Sequence, residues 1–565
     1  MQEIIYLILR QIRRPALILL AAYAVAMLGM VLIPSLDENN ELSYLTFFQA
    51  FYWVSYTATT IGYGEVPHAF SEWQRFWVAV SIYYTVPAWF YAIGKIISLL
   101  QDANFQYALA VSRFQRSVAG LTEKFCIICG FGEAGLRLTQ ALQAEGFRCV
   151  VIEKDPVRLR KLALNSDLSH VLAIEADADN VEFLEKAGIR SPLCRGVVAI
   201  TDNEAVNLKV ALAARLLSSE HRYFKIVCRT YSRSGSNQAK ALTVDIIINT
   251  NRIFTEQLLT ALRRPAIAEL LARFNGVGGE RFEMPPVPPF GRWLICGNNA
   301  LGLALKRFLD YEGIDCLTLD PTLPNGPDSI CGLGNEAVTL RAARIDRAQA
   351  IVTARNSDAE NLSIALTAKS MHPAIFVVGK QNKSLHKSLF AVAGFDRLME
   401  EADLIVSQTF SQLARPLLSR FLKLLSHQDE QWGQQLLKRI NQWSPDRNPY
   451  HRMVRIDAAN APAVVEQLAS GRLLRLQTLW APANQPESVN EALPLLLVRK
   501  DQDILLPEPA TSLQLGDKIL LAYAQRKIEK RLRINLFDEA QLYYSIHGKE
   551  KVKSPVFAYL LKKWE

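Results

Sequence analysis

Phe125-Cys126-Ile127-Ile128-Cys129-Gly130-Phe131-Gly132-Glu133-Ala134-Gly135 is the stretch that decides the fold of most of this 565-residue chain. Its first five residues form an apolar run of strand length. Three glycines follow at 130, 132 and 135, and a helical pattern then runs through Leu136, Leu138 and Leu142. A second apolar run, Cys149–Ile152, ends on the acid Glu153. Strand, tight turn, helix, strand and acid is how a doubly wound α/β sheet of the Rossmann type opens. In this reading Gly130 allows the turn, Gly132 lets a pyrophosphate approach the backbone, and Gly135 lets the helix pack close to the strand. Phe131 and Glu133 belong to the same loop. The helix N-terminus offers free N–H groups to phosphate, and Glu153 is placed to accept from ribose hydroxyls. The expected ligand is an adenine nucleotide, with NAD(H), ADP and ATP all open. The alternative is a fold retained after ligand binding was lost.

Working outward, further strands are expected at Val171–Ile174, Val197–Ile200, Ile226–Val227 and Asp245–Ile248. The first of these leads into Glu175-Ala176-Asp177-Ala178-Asp179, an acidic tip at the mouth of the sheet. Glu175, Asp177 and Asp179 read either as a solvated loop or as a calcium site, since hard oxygen ligands suit that ion. A proline-rich linker (284–290) then introduces a second copy of the same plan. Trp293–Cys296 leads into Gly297-Asn298-Asn299-Ala300-Leu301-Gly302, and Cys316–Leu319 ends at Asp320. The interval from Gly297 to Asp320 is 23 residues, as is that from Gly130 to Glu153. Asn356…Asp358…Asn361-Leu362 echoes Asp202…Glu204…Asn207-Leu208, so the chain contains an internal repeat. Asn299 stands at the middle glycine position, where its Cβ crowds a pyrophosphate. The second copy is therefore expected to serve assembly rather than dinucleotide binding. Residues 446–525 alternate short strands and a helix, and the basic tail 526–565 is left unassigned.

Composition limits the rest. Half the residues are hydrophobic, yet mean hydropathy is only +0.07, so the apolar excess is local. A net charge of +9 is modest for this length and accompanies no nucleic-acid motif. All eight cysteines lie beyond residue 125, which fits a reducing compartment. Cys126 and Cys129 have redox-motif spacing but sit inside the first strand, where burial is the simpler reading. His170, His221 and His372 are scattered singly and supply no catalytic cluster.

The local excess lies at the N-terminus. Residues 16–33 and 76–100 are each long and apolar enough to span ~30 Å of hydrocarbon. Arg10, Arg13 and Arg14 precede the first span, Asp37, Glu38 and Glu41 follow it, and Arg113, Arg116 and Lys124 follow the second. The positive-inside rule then places both ends in the cytoplasm. Residues 44–58 are apolar but too short to cross, as expected of a re-entrant helix, and Thr59-Thr60-Ile61-Gly62-Tyr63-Gly64 follows them. Gly62 and Gly64 give the backbone positive φ cheaply, which lets successive carbonyls point the same way. Thr60 adds a hydroxyl, Tyr63 a ring that wedges the strand against its helix, and Glu65 an acid behind it. Pro87 removes a helical hydrogen bond in the second span, so a hinge is expected near Tyr83, with Ser81 or Thr85 hydroxyls serving the freed groups and Gly94 as a second soft point.

Thr60–Gly64 resembles the potassium-channel signature T-V-G-Y-G, with Ile61 for Val and with Glu65 where Asp is common. Together with the repeat, the chain resembles bacterial two-span, ligand-gated potassium channels with tandem RCK (TrkA-N-like) domains. The resemblance implies potassium held by the carbonyls of Thr60, Ile61, Gly62 and Tyr63, and a homotetramer in the cell (inner) membrane. It also implies a cytoplasmic ring of RCK domains that opens the pore when ligand binds, and places Asp177 near that ligand. The expected domains are a pore (1–101), a gating linker (102–121), a first RCK domain with crossover helices (122–283), a second RCK lobe (291–445), a TrkA-C-like subdomain (446–525) and the tail. A regulatory component of potassium transport, a non-selective cation channel and a membrane-anchored NAD-dependent oxidoreductase are the competing readings.

Overall fold

The computed structural model describes residues 2–36, 42–65, 69–218, 224–481 and 486–548, with side chains described from residue 12 onward. Asp37, Glu38, Glu41, His221, the Arg10 side chain and the tail beyond residue 548 lie outside them. Two compact units divide the chain at residues 121 and 122.

The first unit is helical. Helix α1 (Gln2–Leu32) packs along α3 (Glu72–Gln101), with the shorter α2 (Phe47–Ala58) between their ends. Two segments, Ile12–Leu32 and Glu72–Gln101, are long and apolar enough to cross a membrane. Ala26, Met30, Ala50, Trp53 and Val54 form the core, closed by Trp77 and Tyr84. Polar anchors fix the upper ends: buried Gln74 donates to the Ile33 carbonyl (2.8 Å), and the Trp77 indole donates to that of Ala26 (3.1 Å). Helix α2 begins at Phe47 rather than at the expected residue 44, because Thr46 and Gln49 form a reciprocal capping box. The expected linker is itself a helix, α4 (Ala103–Ala119), and Asp102 ends α3 and caps α4. Pro87 lies inside α3, but the Thr85 hydroxyl donates to Ser81 O (2.7 Å) rather than serving the Tyr83 carbonyl that Pro87 frees. The expected hydroxyl rescue is thus directed two residues too early, since the Thr85 side chain reaches back to i−4.

The second unit holds both repeats. Strands β1 (Phe125–Cys129), β2 (Arg148–Glu153), β3 (Leu172–Glu175), β4 (Cys194–Ala199), β5 (Lys225–Arg229) and β6 (Ile246–Ile248) form a parallel sheet in the order β3-β2-β1-β4-β5-β6. Helix α5 (Glu133–Ala144) follows β1. After two further helices, α6 (Thr250–Arg263) and α7 (Pro265–Asn275), the second sheet repeats the plan. Its strands are β7 (Trp293–Cys296), β8 (Cys316–Leu319), β9 (Ser329–Ile330), β10 (Ala350–Thr353), β11 (Phe376–Gln381) and β12 (Arg397–Glu400), ordered β9-β8-β7-β10-β11-β12. In both sheets the strand order reverses beside the first strand, where open α/β sheets bind ligands.

The helices that leave each sheet cross to the other. Phe254, Leu258 and Leu262 of α6 pack into the core of the second repeat with Trp293, Leu305 and Val352. Reciprocally, Ile405, Val406 and Phe410 of α9 (Glu401–Ala414; α8 being Ala300–Tyr311 after β7) pack on Leu138 and Leu142 of the first. Burying a large apolar side chain contributes about 1.5–3 kcal/mol, so each repeat is stabilised by a helix encoded after the other. The next helices, Pro416–Leu425 and Glu430–Asn441, pack instead with Ile267, Leu270 and Phe274 of α7. The C-terminal domain is a four-stranded antiparallel sheet spanning Tyr450 to Tyr523. The tail that sequence left unassigned is helical over Arg526–Phe537 and Glu539–His547, and Ile528, Leu532, Leu536 and Leu542 complete that domain's core.

Candidate functional site

Residues 59–64 leave α2 with alternating backbone handedness: φ is +63° at Thr60, +64° at Gly62 and +74° at Gly64. Glycine meets this at Gly62 and Gly64 without strain, whereas a β-branched Thr60 at positive φ is costly and must be held by its surroundings. Tyr56 supplies the hold. Its carbonyl accepts from the Ile61 (3.0 Å) and Gly62 (3.2 Å) amides, and its hydroxyl donates to the Glu65 carbonyl (3.1 Å). The Thr60 amide donates to Thr57 O (3.0 Å) and the Thr59 hydroxyl to Ser55 O (2.7 Å). The Tyr63 ring meets Tyr56 edge-on at 6.4 Å, and the Tyr52 hydroxyl donates to the Glu65 carboxylate (3.2 Å). Ile61 and Tyr63 are exposed in the single chain, and a Cβ on Gly62 or Gly64 would meet nothing. Sequence reasoning named the strand and missed its buttress, whose signal is the Tyr52…Tyr56 spacing of one helical turn before the filter.

The glycine-rich loop of the first repeat opens a cleft of about 460 Å³, within the size range of small-molecule sites. Gly130, Gly132, Glu133, Gly135, Glu153 and Asp177 all line it, whereas Phe131 is buried behind the loop and does not. A Cβ on Gly135 would lie 2.3 Å from the Gly130 carbonyl oxygen, so helix and loop meet only because residue 135 has no side chain. No side chain caps α5, which leaves its N-terminal amides facing the cleft. Arg158 stands over Gly132 and pairs with Glu153 (3.5 Å) and Asp155 (3.5 Å). Glu153 is only 4 % exposed. Its carboxylate accepts from the Phe131 and Asp155 amides, so it first of all pins the glycine loop to the end of β2.

The second repeat repeats this pin beside a cleft of about 380 Å³ lined by Asn299, Asp320 and Arg355. The Asp320 carboxylate accepts from the Asn298 amide (2.8 Å), the Thr322 amide and hydroxyl, and Arg355 (2.7 Å). Burial raises its pKa, but those hydrogen bonds and the Arg355 charge bring it below the ordinary carboxylate value. Asn299 accepts from the Leu301 and Gly302 amides (both 3.1 Å) and donates to Ala354 O. It therefore caps its own helix where a phosphate would otherwise sit.

One of the two sequence readings of the acidic tip is corrected. Asp179 pairs with Lys209 (2.8 Å) and Asp177 accepts from the Asp179 amide, so both carboxylates are engaged by protein groups. Among the described residues no three His, Cys, Asp or Glu side chains converge to hold a metal, and the calcium site at Glu175, Asp177 and Asp179 is withdrawn. The cleft also extends beyond its own repeat. Arg229, 7 % exposed, pairs with Glu401 of α9 (2.7 Å) and with Asp202 (3.4 Å) and lies over the Tyr231 ring. Asn382, Ala402 and Ile405 complete that wall. Burial opposes the Glu401 charge, but Arg229 and then Lys380 hold its pKa below the usual value. Cys126 and Cys129 are fully buried, with the Cys129 thiol pushed up to about 12 by burial, which rules out a thiolate pair.

Residues 16–102 match the ion channel family model, and residues 126–250 and 293–401 each match the TrkA-N domain model. The chain thus joins a segment matching an ion-channel model to two segments matching the TrkA-N model. It is 28 % identical over 173 residues to potassium channel protein 1 of Methanocaldococcus jannaschii, covering 30 % of this chain and 50 % of that one. It is 26 % identical over 223 residues to the voltage-gated potassium channel Kch of Escherichia coli, covering 38 % and 49 %. The chain thus spans about half the length of these relatives. Among solved structures it is similar to the GsuK channel (TM-score 0.46, 14 % identity, 94 % of this chain and 98 % of that one) and to the GsuK channel bound to NAD (TM-score 0.44, 14 % identity, 94 % and 98 %).

Proposed function

We propose that this protein is a potassium-selective channel gated by an adenine nucleotide bound at the glycine-rich cleft of its first TrkA-N domain. The observation that carries the reading is the backbone alternation at Thr60, Gly62 and Gly64, buttressed by Tyr56, in a loop flanked by two helices of membrane length. A ring of carbonyls selects potassium by replacing its hydration shell, and one chain supplies one strand of such a ring. The functional unit is then a homotetramer in the cell membrane with both termini cytoplasmic. Thr60 to Tyr63 line the ion path, and eight TrkA-N domains form the ring. Nucleotide binding shifts the pore only by the difference in its affinity for open and closed rings. About 1 kcal/mol from each of four sites changes the open–closed ratio by roughly a thousandfold. Pro87 in α3, with Gly94, is the hinge of this scheme, and α4 carries the movement.

The test is single-channel recording of the purified chain in planar bilayers. A reversal potential that follows the potassium gradient under opposed potassium and sodium, and an open probability that responds to NAD+, NADH, ADP or ATP on the cytoplasmic face, are expected. Equal permeation of sodium refutes the selectivity, and indifference to all four nucleotides refutes the gating.

A further inference from the structure

The cleft has two arms that meet at the glycine-rich loop, because β1 lies between β2 and β4. One arm runs over the end of β2, past Glu153, Asp155 and Asp177. The other runs over β4 and β5, past Thr201 and Asp202 to Arg229, and its far wall is Asn382, Glu401 and Ala402 of the second repeat. A mononucleotide with its phosphates at the loop and its ribose near Glu153 occupies the first arm alone. A dinucleotide has a second nucleoside that must leave the pyrophosphate on the other side, along the arm walled by α9. At that wall the Arg229 Nε has no hydrogen-bond partner, although the side chain is almost wholly buried. A buried donor left unmade costs about 1–3 kcal/mol, so an acceptor arriving there is favoured.

Resting on the nucleotide reading above, we propose that the second TrkA-N repeat, whose own phosphate position is taken by the Asn299 cap, completes the ligand site of the first specifically for dinucleotides. Glu401 and Ala402 face the second nucleoside, and mononucleotides bind without touching the second repeat. The two ligand classes are thereby read differently. A dinucleotide bears directly on α9, which is tied to α5 by the Arg137–Asp403 pair. A mononucleotide reaches only the first repeat.

The experiment is equilibrium dialysis of the full-length chain in detergent with NAD+ and with ADP. Glu401→Gln and Ala402→Leu are each expected to weaken NAD+ about tenfold or more while leaving ADP within about twofold, so that ADP binding also reports a folded site. Glu153→Ala is expected to weaken both. Unchanged NAD+ affinity in both wall variants, or parallel loss of both ligands in both, overturns the proposal. If the unaltered chain binds neither probe, the nucleotide reading itself falls and the proposal with it.

Discussion

The Tyr56 hydroxyl donates to the backbone carbonyl of Glu65 across 3.1 Å, while the carbonyl of the same Tyr56 accepts from the amides of Ile61 and Gly62. One residue thus ties both ends of the strained loop to α2. Tyr56→Phe removes only the outer tie, worth about 1 kcal/mol per chain, and keeps the ring packed beside Tyr63. The expected result is a channel that conducts but discriminates less between potassium and sodium. A bi-ionic reversal potential measures it, and an unchanged ratio would show that the outer tie has no part in selection.

Pro87 leaves the Tyr83 carbonyl without its helical donor, and the Thr85 hydroxyl is committed to Ser81 O. Pro87→Ala restores an amide at that point and stiffens α3. A lower open probability with unaltered ion selectivity is expected in single-channel records. If open probability is the same in both proteins, the proline bends the helix without serving as its hinge.

Glu153 and Asp320 occupy equivalent places, yet they predict different losses. Asp320 is bound by Arg355, and Glu360 shares that arginine, so Asp320→Ala leaves a largely buried guanidinium short of one partner. Removing one member of such a pair costs about 3–5 kcal/mol when fully buried; the half-open cleft reduces this to about 1–3. Thermal unfolding followed by tryptophan fluorescence should show the loss, while nucleotide affinity at the first repeat stays within about twofold. Glu153→Ala frees the Phe131 amide instead, and nucleotide affinity is the quantity expected to fall.

Much of this was legible in the sequence because it rests on local rules. The glycine spacing after Phe125–Cys129, the 23-residue interval to the acid and its recurrence from Gly297 to Asp320 mark two copies of one parallel sheet. The positive-φ turn at Gly62 and Gly64 was legible for the same reason, since glycine takes a backbone that other residues resist. What escaped were relationships between residues far apart in the chain. Nothing near Arg229 announces Glu401, 172 positions later, because reciprocal crossing of α6 and α9 is decided by which apolar faces the two sheets leave open. The calcium reading failed by the same kind of distance: Lys209 pairs with Asp179 from a helix 30 positions away. Glu153 was read as a ribose acceptor from its position alone, and the tie to the Phe131 amide shows only once the loop is folded.

His451 connects pH to the junction between the first repeat and the C-terminal sheet. Its pKa is lowered from the usual 6.5 to about 4, first by burial and then by the nearby Arg415 charge, with Glu145 opposing. Arg415 itself pairs with Glu145 at 2.8 Å, so an imidazolium at 451 would face a guanidinium already matched to its acid. The folded chain keeps His451 neutral, whereas the unfolded chain takes up a proton below about pH 6.5. Between those values the unfolded state binds more protons, so stability rises with pH across the window and is lost as pH falls from 6.5 toward 4. Because the strand is partly open to solvent, the expected loss is about 2–3 kcal/mol rather than the full value of the shift. Carboxylates with lowered pKa, among them Glu204, Asp320, Asp358 and Glu401, lose their contribution only as pH falls below the ordinary carboxylate value, which keeps the two effects apart above about pH 4.5. His451→Gln should therefore flatten the stability–pH curve between pH 6.5 and 4.5 and leave its acid limb in place. Unfolding midpoints of the full-length chain measured across that range provide the check, and identical slopes for the two proteins would assign the pH dependence to other groups.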